Sequence, residues 1–222
     1  MVTVIDEDER RLYQVGGNVY KAGGTSHIYK LDNGELFKRY FSYTSESVRI
    51  SEDIFKILQS INHIRMIRLY ELFVNEEHSV AYTMKELTDD GLDILDTNID
   101  YFLESIRCIE ELFDTLTKLN IRIMDSRYDN TIVNEKGITI IDPDKYRKVD
   151  YCPIINNKDQ LLFLSYSLLT SRKSKWNKET DLNKVVRFRN AIKLNEDICI
   201  TDELYKGMKL VKKPYELFIR DE

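Results

Sequence analysis

The stretch Met124–Asp144, MDSRYDNTIVNEKGITIIDPD, is the part of the chain whose reading decides the fold. Two apolar runs, TIVN at 131–134 and ITIID at 138–142, flank the turn Glu135-Lys136-Gly137. That pattern predicts a short β-hairpin. Asp125 stands five positions before Asn130, and Asp142 ends the second strand. A hairpin of this kind can bring Asp125, Asn130 and Asp142 to one sheet edge. Phosphoryl transfer needs such a set, because one carboxylate must orient the attacking hydroxyl while hard oxygen ligands hold Mg²⁺ against the phosphates.

On the N-terminal side of this stretch, residues 98–119 carry the strongest helical period. Ile99, Phe102, Leu103, Ile106, Ile109, Leu112, Phe113, Leu116 and Leu119 fall on one stripe, with Asn98 or Asp100 as candidate caps. Before it, residues 18–41 read as a hairpin around Asp32-Asn33-Gly34. Val48, Ile50, Ile54, Phe55, Ile57, Leu58 and Ile61 predict a helix over 45–61. MIRLYELFV at 66–74 and SVAYTMKEL at 79–87 predict two further strands, joined by Asn75-Glu76-Glu77-His78. The polar stretch Thr88-Asp89-Asp90-Gly91 is the expected boundary between a β-rich first lobe, 1–87, and a mainly helical second lobe, 88–222. Beyond the central hairpin, 159–170 predicts another helix. The expected class is α+β, two-lobed, with a sheet-rich N-terminal lobe.

Composition narrows the possible functions. Hydrophobic residues make up 42% and charged residues 32%, as in soluble globular domains. A net charge of −5 gives no general electrostatic affinity for nucleic acid or acidic membranes, so neither is an expected partner. No apolar run is long enough to span a bilayer. Cys108, Cys152 and Cys199 lack paired spacing for zinc or a disulfide framework, which favours a reducing, cytoplasmic compartment. The acidic opening MVTVIDEDERR departs from a secretory signal. His27, His63 and His78 share no ligand spacing, and the basic run Lys209–Lys213 reads as a solvated face.

The segment around Asp125 and Asp142 resembles the catalytic loop and metal-binding motif of protein kinases. The resemblance extends over about residues 18–170. It implies that Asp125 is the catalytic aspartate, that Asn130 and Asp142 are metal ligands, and that Arg127 touches the γ-phosphate. KAGGTSHIYKL resembles the glycine-rich loop, with Gly23 and Gly24 bringing backbone amides to phosphate oxygens and Ile28 covering the adenine. Lys38 in LFKRY matches the lysine that pairs with the α- and β-phosphates. Glu52 or Asp53 is then its expected helix partner, although both lie slightly early in the alignment. AYTMKELTDDGLDIL looks like the hinge, with Met84 behind the pocket and the backbone near Lys85, Glu86 and Leu87 on the adenine edge. Asp159 resembles the aspartate that opens a buried helix and braces the catalytic loop.

The implied cofactors are ATP and Mg²⁺, and the implied activity is a kinase of serine/threonine type. The sequence departs from the family at several points. Ser26 replaces the third glycine of the loop, and Ile123-Met124 replaces the His-Arg before the catalytic aspartate. Asp142 is followed by Pro143-Asp144, where Asp144 is either a second metal ligand or a turn residue. Fewer than about twenty residues separate Asp142 from Asp159, too few for the segment that positions peptide substrates. This pattern is closer to compact, atypical kinases and small-molecule phosphotransferases. A pseudokinase acting as a nucleotide-binding or scaffold module is the alternative, and an unrelated α+β binding protein is a third.

Overall fold

Gly34, at a φ of 80°, closes a hairpin turn where a side chain would be strained. Asn33 Oδ1 accepts from the Glu35 amide, and Leu31 N–H bonds Glu35 O at 2.8 Å. On either side run β3 (Ser26–Lys30) and β4 (Glu35–Tyr40), with β2 (Val19–Ala22) outside β3. The computed structural model describes residues 1–4, 19–75, 78–87, 99–170, 192 and 194–210. The expected boundary at Thr88-Asp89-Asp90-Gly91, Glu76 and Glu77 of the predicted turn, the Asn98 cap and the 209–213 side chains lie outside the described residues.

The chain forms a mixed α+β structure in two units. The first is Met1–Leu87 together with Asp142–Lys148, and the second is Thr88–Ile141 with Val149–Glu222. The sequence assigned 142–148 to the second lobe. Their inclusion in the first unit has a physical cause, described below: the carboxylates of this segment pair with Lys38.

In the first unit, six strands run in the order β1-β5-β6-β4-β3-β2. Here β1 is Val2–Val4, β5 Leu69–Val74 and β6 Ser79–Lys85. All pairs are antiparallel except β1 with β5. A three-residue edge strand carries too little alternation to be read in advance, and β1 was not expected.

Strand β4 is buried on both faces. Phe37 packs with Phe73 and Ala81 on one, while Leu36, Lys38 and Tyr40 point to the other. Against that second face lies helix α1 (Glu52–Ile61), whose Phe55 ring sits 6.5 Å from that of Tyr82. The helix begins at Glu52, not at residue 45. Ser51 caps it by accepting from Ile54 N–H, and residues 46–48 form only a 3-10 turn. Arg49 holds the intervening chain extended, donating to the carbonyls of Thr44, Ser79 and Phe41.

The second unit is built on helix α2 (Ile99–Lys118). Phe102, Ile106, Ile109, Leu112, Phe113 and Leu116 are almost wholly buried along it. After the short strand β7 (Ile121–Arg122) come β8 (Thr131–Asn134) and β9 (Gly137–Ile140), the hairpin expected from TIVN and ITIID. Helices α3 (Ile154–Thr170) and α4 (Ile200–Leu210) pack on α2. Helix α3 starts five residues before the predicted 159, because Ile154 and its neighbours are half-exposed and break the apolar period used to place its start. Asp159 is therefore inside the helix and not its cap. Among the described residues, no helix is long and apolar enough to cross a membrane.

Candidate active site

Register places three of the expected nucleotide residues on one sheet face. Ile28 pairs with Lys38 across β3 and β4, and Lys38 with Tyr82 across β4 and β6. Directly paired residues share a face, so Ile28, Lys38 and Tyr82 form one row. Leu36 and Met84 form the next row on the same face. Lys38 is only 4% exposed. Its ammonium meets Asp142 Oδ1 at 2.9 Å and Asp144 Oδ2 at 2.7 Å. It also lies 5.9 and 5.7 Å from the ring centroids of Tyr40 and Tyr82. The Tyr82 hydroxyl donates to Asp144 Oδ1 at 3.0 Å.

Two carboxylates share one ammonium in this cluster, and the electrostatics follow from that imbalance. Burial works against a charged Lys38, but Asp144 and Asp142 hold its pKa above the ordinary value. Burial pushes the Asp144 carboxyl up to about 6, with Lys38 opposing and Asp142 adding to the rise. The Tyr40 and Tyr82 phenols are driven well up by burial and then by the Asp144 charge. Asp142 is the open member, with a side chain 36% exposed against 6% for Asp144. A hard oxygen at that position suits a divalent cation, which would relieve the surplus negative charge.

The glycine turn departs from expectation in one detail. Gly23 N–H is bonded to Ser26 O at 2.9 Å within the β2–β3 turn. Gly24 is exposed, and nothing within 4 Å would meet a Cβ there. Neither glycine has a positive φ. At the other end of the sheet, Met84 is buried, Leu87 is half-buried, and Glu86 pairs with Lys30 at 2.8 Å. Lys85 N–H is occupied by Arg68 O at 2.9 Å, which leaves Glu86 and Leu87 as the backbone able to face a ligand edge. A separate cavity of about 550 Å³ in this unit, lined by Glu46, Arg49, Ser51, Glu52, Asn75 and Ser79, contains of the expected residues only Glu52.

In the second unit, Asp125 has a φ of 61°, a conformation that costs a non-glycine residue roughly 1–2 kcal/mol. Asn130 helps to fix it, its Nδ2 donating to Asp125 O at 2.8 Å. That bond uses Nδ2, so Oδ1 is the atom of Asn130 that could ligate a cation. Arg127 Nε meets Asp125 Oδ1 at 3.0 Å and its Nη2 meets Asp129 at 3.3 Å. Asp125, Arg127 and Asn130 thus lie together on one loop.

The groups holding that loop were not foreseen. Asn157 Oδ1 accepts from Ile123 N–H at 2.9 Å, while its Nδ2 donates to Thr117 Oγ1 and Ile121 O. Gln160 and Ser167 accept from the amides of Ser126 and Tyr128. Asn157, Gln160 and Ser167 therefore brace the loop backbone, from the same helix that carries Asp159. Their spacing on one face of α3 was a usable signal, hidden by placing the helix start at 159.

Among the described residues, no three of His, Cys, Asp and Glu gather into a metal cage. The expected Mg²⁺ ligands are one amide and one carboxylate, Asn130 and Asp142. They belong to different units, and each by itself is an oxygen donor of the kind Mg²⁺ takes. No family model matches the chain, and no curated protein sequence matches it.

Proposed function

We propose that the chain is a compact, protein-kinase-like phosphotransferase that uses Mg·ATP and delivers the γ-phosphate to a hydroxyl acceptor. The observation that carries this reading is the contact between the buried Lys38 and the partly exposed Asp142. The two residues are the expected phosphate lysine and metal carboxylate, and they stand 104 positions apart yet meet at 2.9 Å. A solvated strand lysine would not be buried, since burying its charge is costly without a partner.

Mg·ATP, when bound, supplies an electrophilic γ-phosphorus with its charge partly neutralised. Lys38 donates to an α- or β-phosphate oxygen. Asp142 would offer an oxygen to the cation, and the resemblance assigns the same role to Asn130. Asp125 accepts the proton of the acceptor hydroxyl as its oxygen bonds to phosphorus and the bond to ADP breaks. Arg127, paired with Asp125, is the cation assigned to the γ-phosphate. The short segment after Asp142 favours an acceptor that is not an extended peptide: a folded protein, by preference, or a small molecule.

One observation favours the alternative of a nucleotide-binding or scaffold module without transfer. The Gly23 amide is spent inside its own turn and does not remain available for a phosphate. Incubation with γ-labelled ATP, Mg²⁺ and host lysate separates the readings. Transfer of label that disappears in Asp125→Asn supports the enzyme. Tight Mg·ATP binding with no label in protein or small-molecule fractions refutes it in favour of the module.

A further inference from the structure

We propose that Asp144 is the positioning residue for Lys38, taking the part otherwise given to a carboxylate on helix α1. The inference rests on the phosphotransferase reading. Lys38 Nζ has three N–H donors. Asp142 Oδ1 at 2.9 Å and Asp144 Oδ2 at 2.7 Å take two of them, which leaves the third for a phosphate oxygen. Asp142 is the more exposed member of the pair and the one assigned to the cation. Asp144 is 5% exposed and fixed from every side.

Its Oδ1 accepts from the Tyr82 hydroxyl at 3.0 Å. Its backbone lies in a turn closed by Tyr146 N–H to Pro143 O at 3.0 Å, and Arg147 Nη1 donates to its carbonyl at 2.6 Å. With both carboxylate oxygens already partnered, Asp144 is not arranged as a second metal ligand. It is also more than a turn residue.

Helix α1 supplies no competitor. Glu52 is paired with Lys56, one turn along the same helix, and Asp53 lies on the exposed face. Lys38, Asp144 and Asp142 all belong to the first unit. A displacement of α1 therefore has no carboxylate with which to release or capture the lysine, and Lys38 is set before nucleotide arrives.

The test compares ADP with adenosine, both titrated calorimetrically in Mg²⁺, because only ADP carries the phosphates that Lys38 reads. Asp144→Asn keeps the shape and removes the charge. It is expected to weaken ADP about tenfold or more, the scale of one charge-assisted hydrogen bond, and to leave adenosine unchanged. Lys38→Ala should match it, and the double variant should lose no more than either single one, as residues acting through one contact do. Glu52→Ala/Asp53→Ala should stay within about twofold of wild type for ADP, since neither carboxylate touches the lysine.

Equal ADP affinity in folded Asp144→Asn overturns the proposal. So does an equal loss for adenosine, which marks a merely structural role, or a larger ADP loss in the helix variant. Should Asp144→Asn fail to fold, Tyr82→Phe removes one hydroxyl that donates to Asp144 and leaves its carboxylate in place. An ADP-selective loss there supports the proposal, and none rejects it. Wild type that binds ADP no better than adenosine rejects the phosphotransferase reading and this inference with it. Wild type that discriminates, beside an Asp144→Asn that discriminates equally, removes this inference alone.

Discussion

Each unit buries a lysine, and the two are satisfied in opposite ways. Lys158, on α3, donates to the backbone carbonyls of Glu196 and Ile198, which are neutral dipoles. Close to the same segment, the buried Glu110 accepts from the amides of Ile200 and Thr201 and from the Thr201 hydroxyl, capping α4. Every group there is met by hydrogen bonds that change nothing beyond the fold. Lys38 instead meets two carboxylates, and a single ammonium cannot neutralise both. Burial alone therefore does not mark a functional charge. A buried cluster with more carboxylates than ammonium groups is the better candidate for a site, because a bound cation would relieve its surplus charge.

Four tests can break or sharpen this contrast. The largest effect is expected at Asp125, where Asp125→Asn should lower transfer about 10²-fold or more and leave Mg·ATP affinity nearly intact, the usual scale for a general base. Single-turnover transfer beside calorimetric binding measures both, and a proportional loss of binding would contradict the assignment. Next, Asp142→Asn should abolish the Mg²⁺-dependent part of the thermal stabilisation by ATP, with Asn130→Ala weaker but in the same direction. An identical Mg²⁺ response in wild type and Asp142→Asn would remove the metal role.

The third and fourth address the structural side of the contrast. Glu110→Ala leaves three buried donors at the start of α4 without their acceptor. Urea unfolding should show a loss of about 3 kcal/mol with unchanged nucleotide affinity. Lys158→Met keeps the aliphatic stem and deletes the two bonds to carbonyls, for about 2 kcal/mol by the same measurement. A change in Mg·ATP affinity in either variant, at full folding, would show that the two buried-charge clusters are not separate in function.

What could be read in advance follows the range of each signal. The 131–140 hairpin and the stripe of α2 are patterns within a few residues, and they reappear within a residue or two of their expected bounds. The start of α1 was misplaced because Val48 and Ile50 fit a helical period while Arg49, bonded to distant carbonyls, keeps the chain extended there. The start of α3 was misplaced because its first turn carries no apolar stripe. Lys38, Asp125, Asn130 and Asp142 stood out as candidates because their residue types and order resemble a known motif. The lysine's true partner was not, since nothing local distinguishes Asp144 from a turn residue.

The sequence by itself determined the α+β class, the hairpin with its polar flanks, the helical stripe and the residue types able to perform phosphate chemistry. All of these depend on spacing along the chain, which period and turn chemistry encode directly. Tertiary structure alone decided that 142–148 packs with the first unit, that Asp144 is buried against Lys38 and Tyr82, that Glu52 turns to Lys56, and that Asn157 braces the Asp125 loop. Each of those outcomes is a choice among competing partners far apart in the chain. It is settled by burial, where a charge or amide must find its partner or go unsatisfied, and burial is a property of the folded whole.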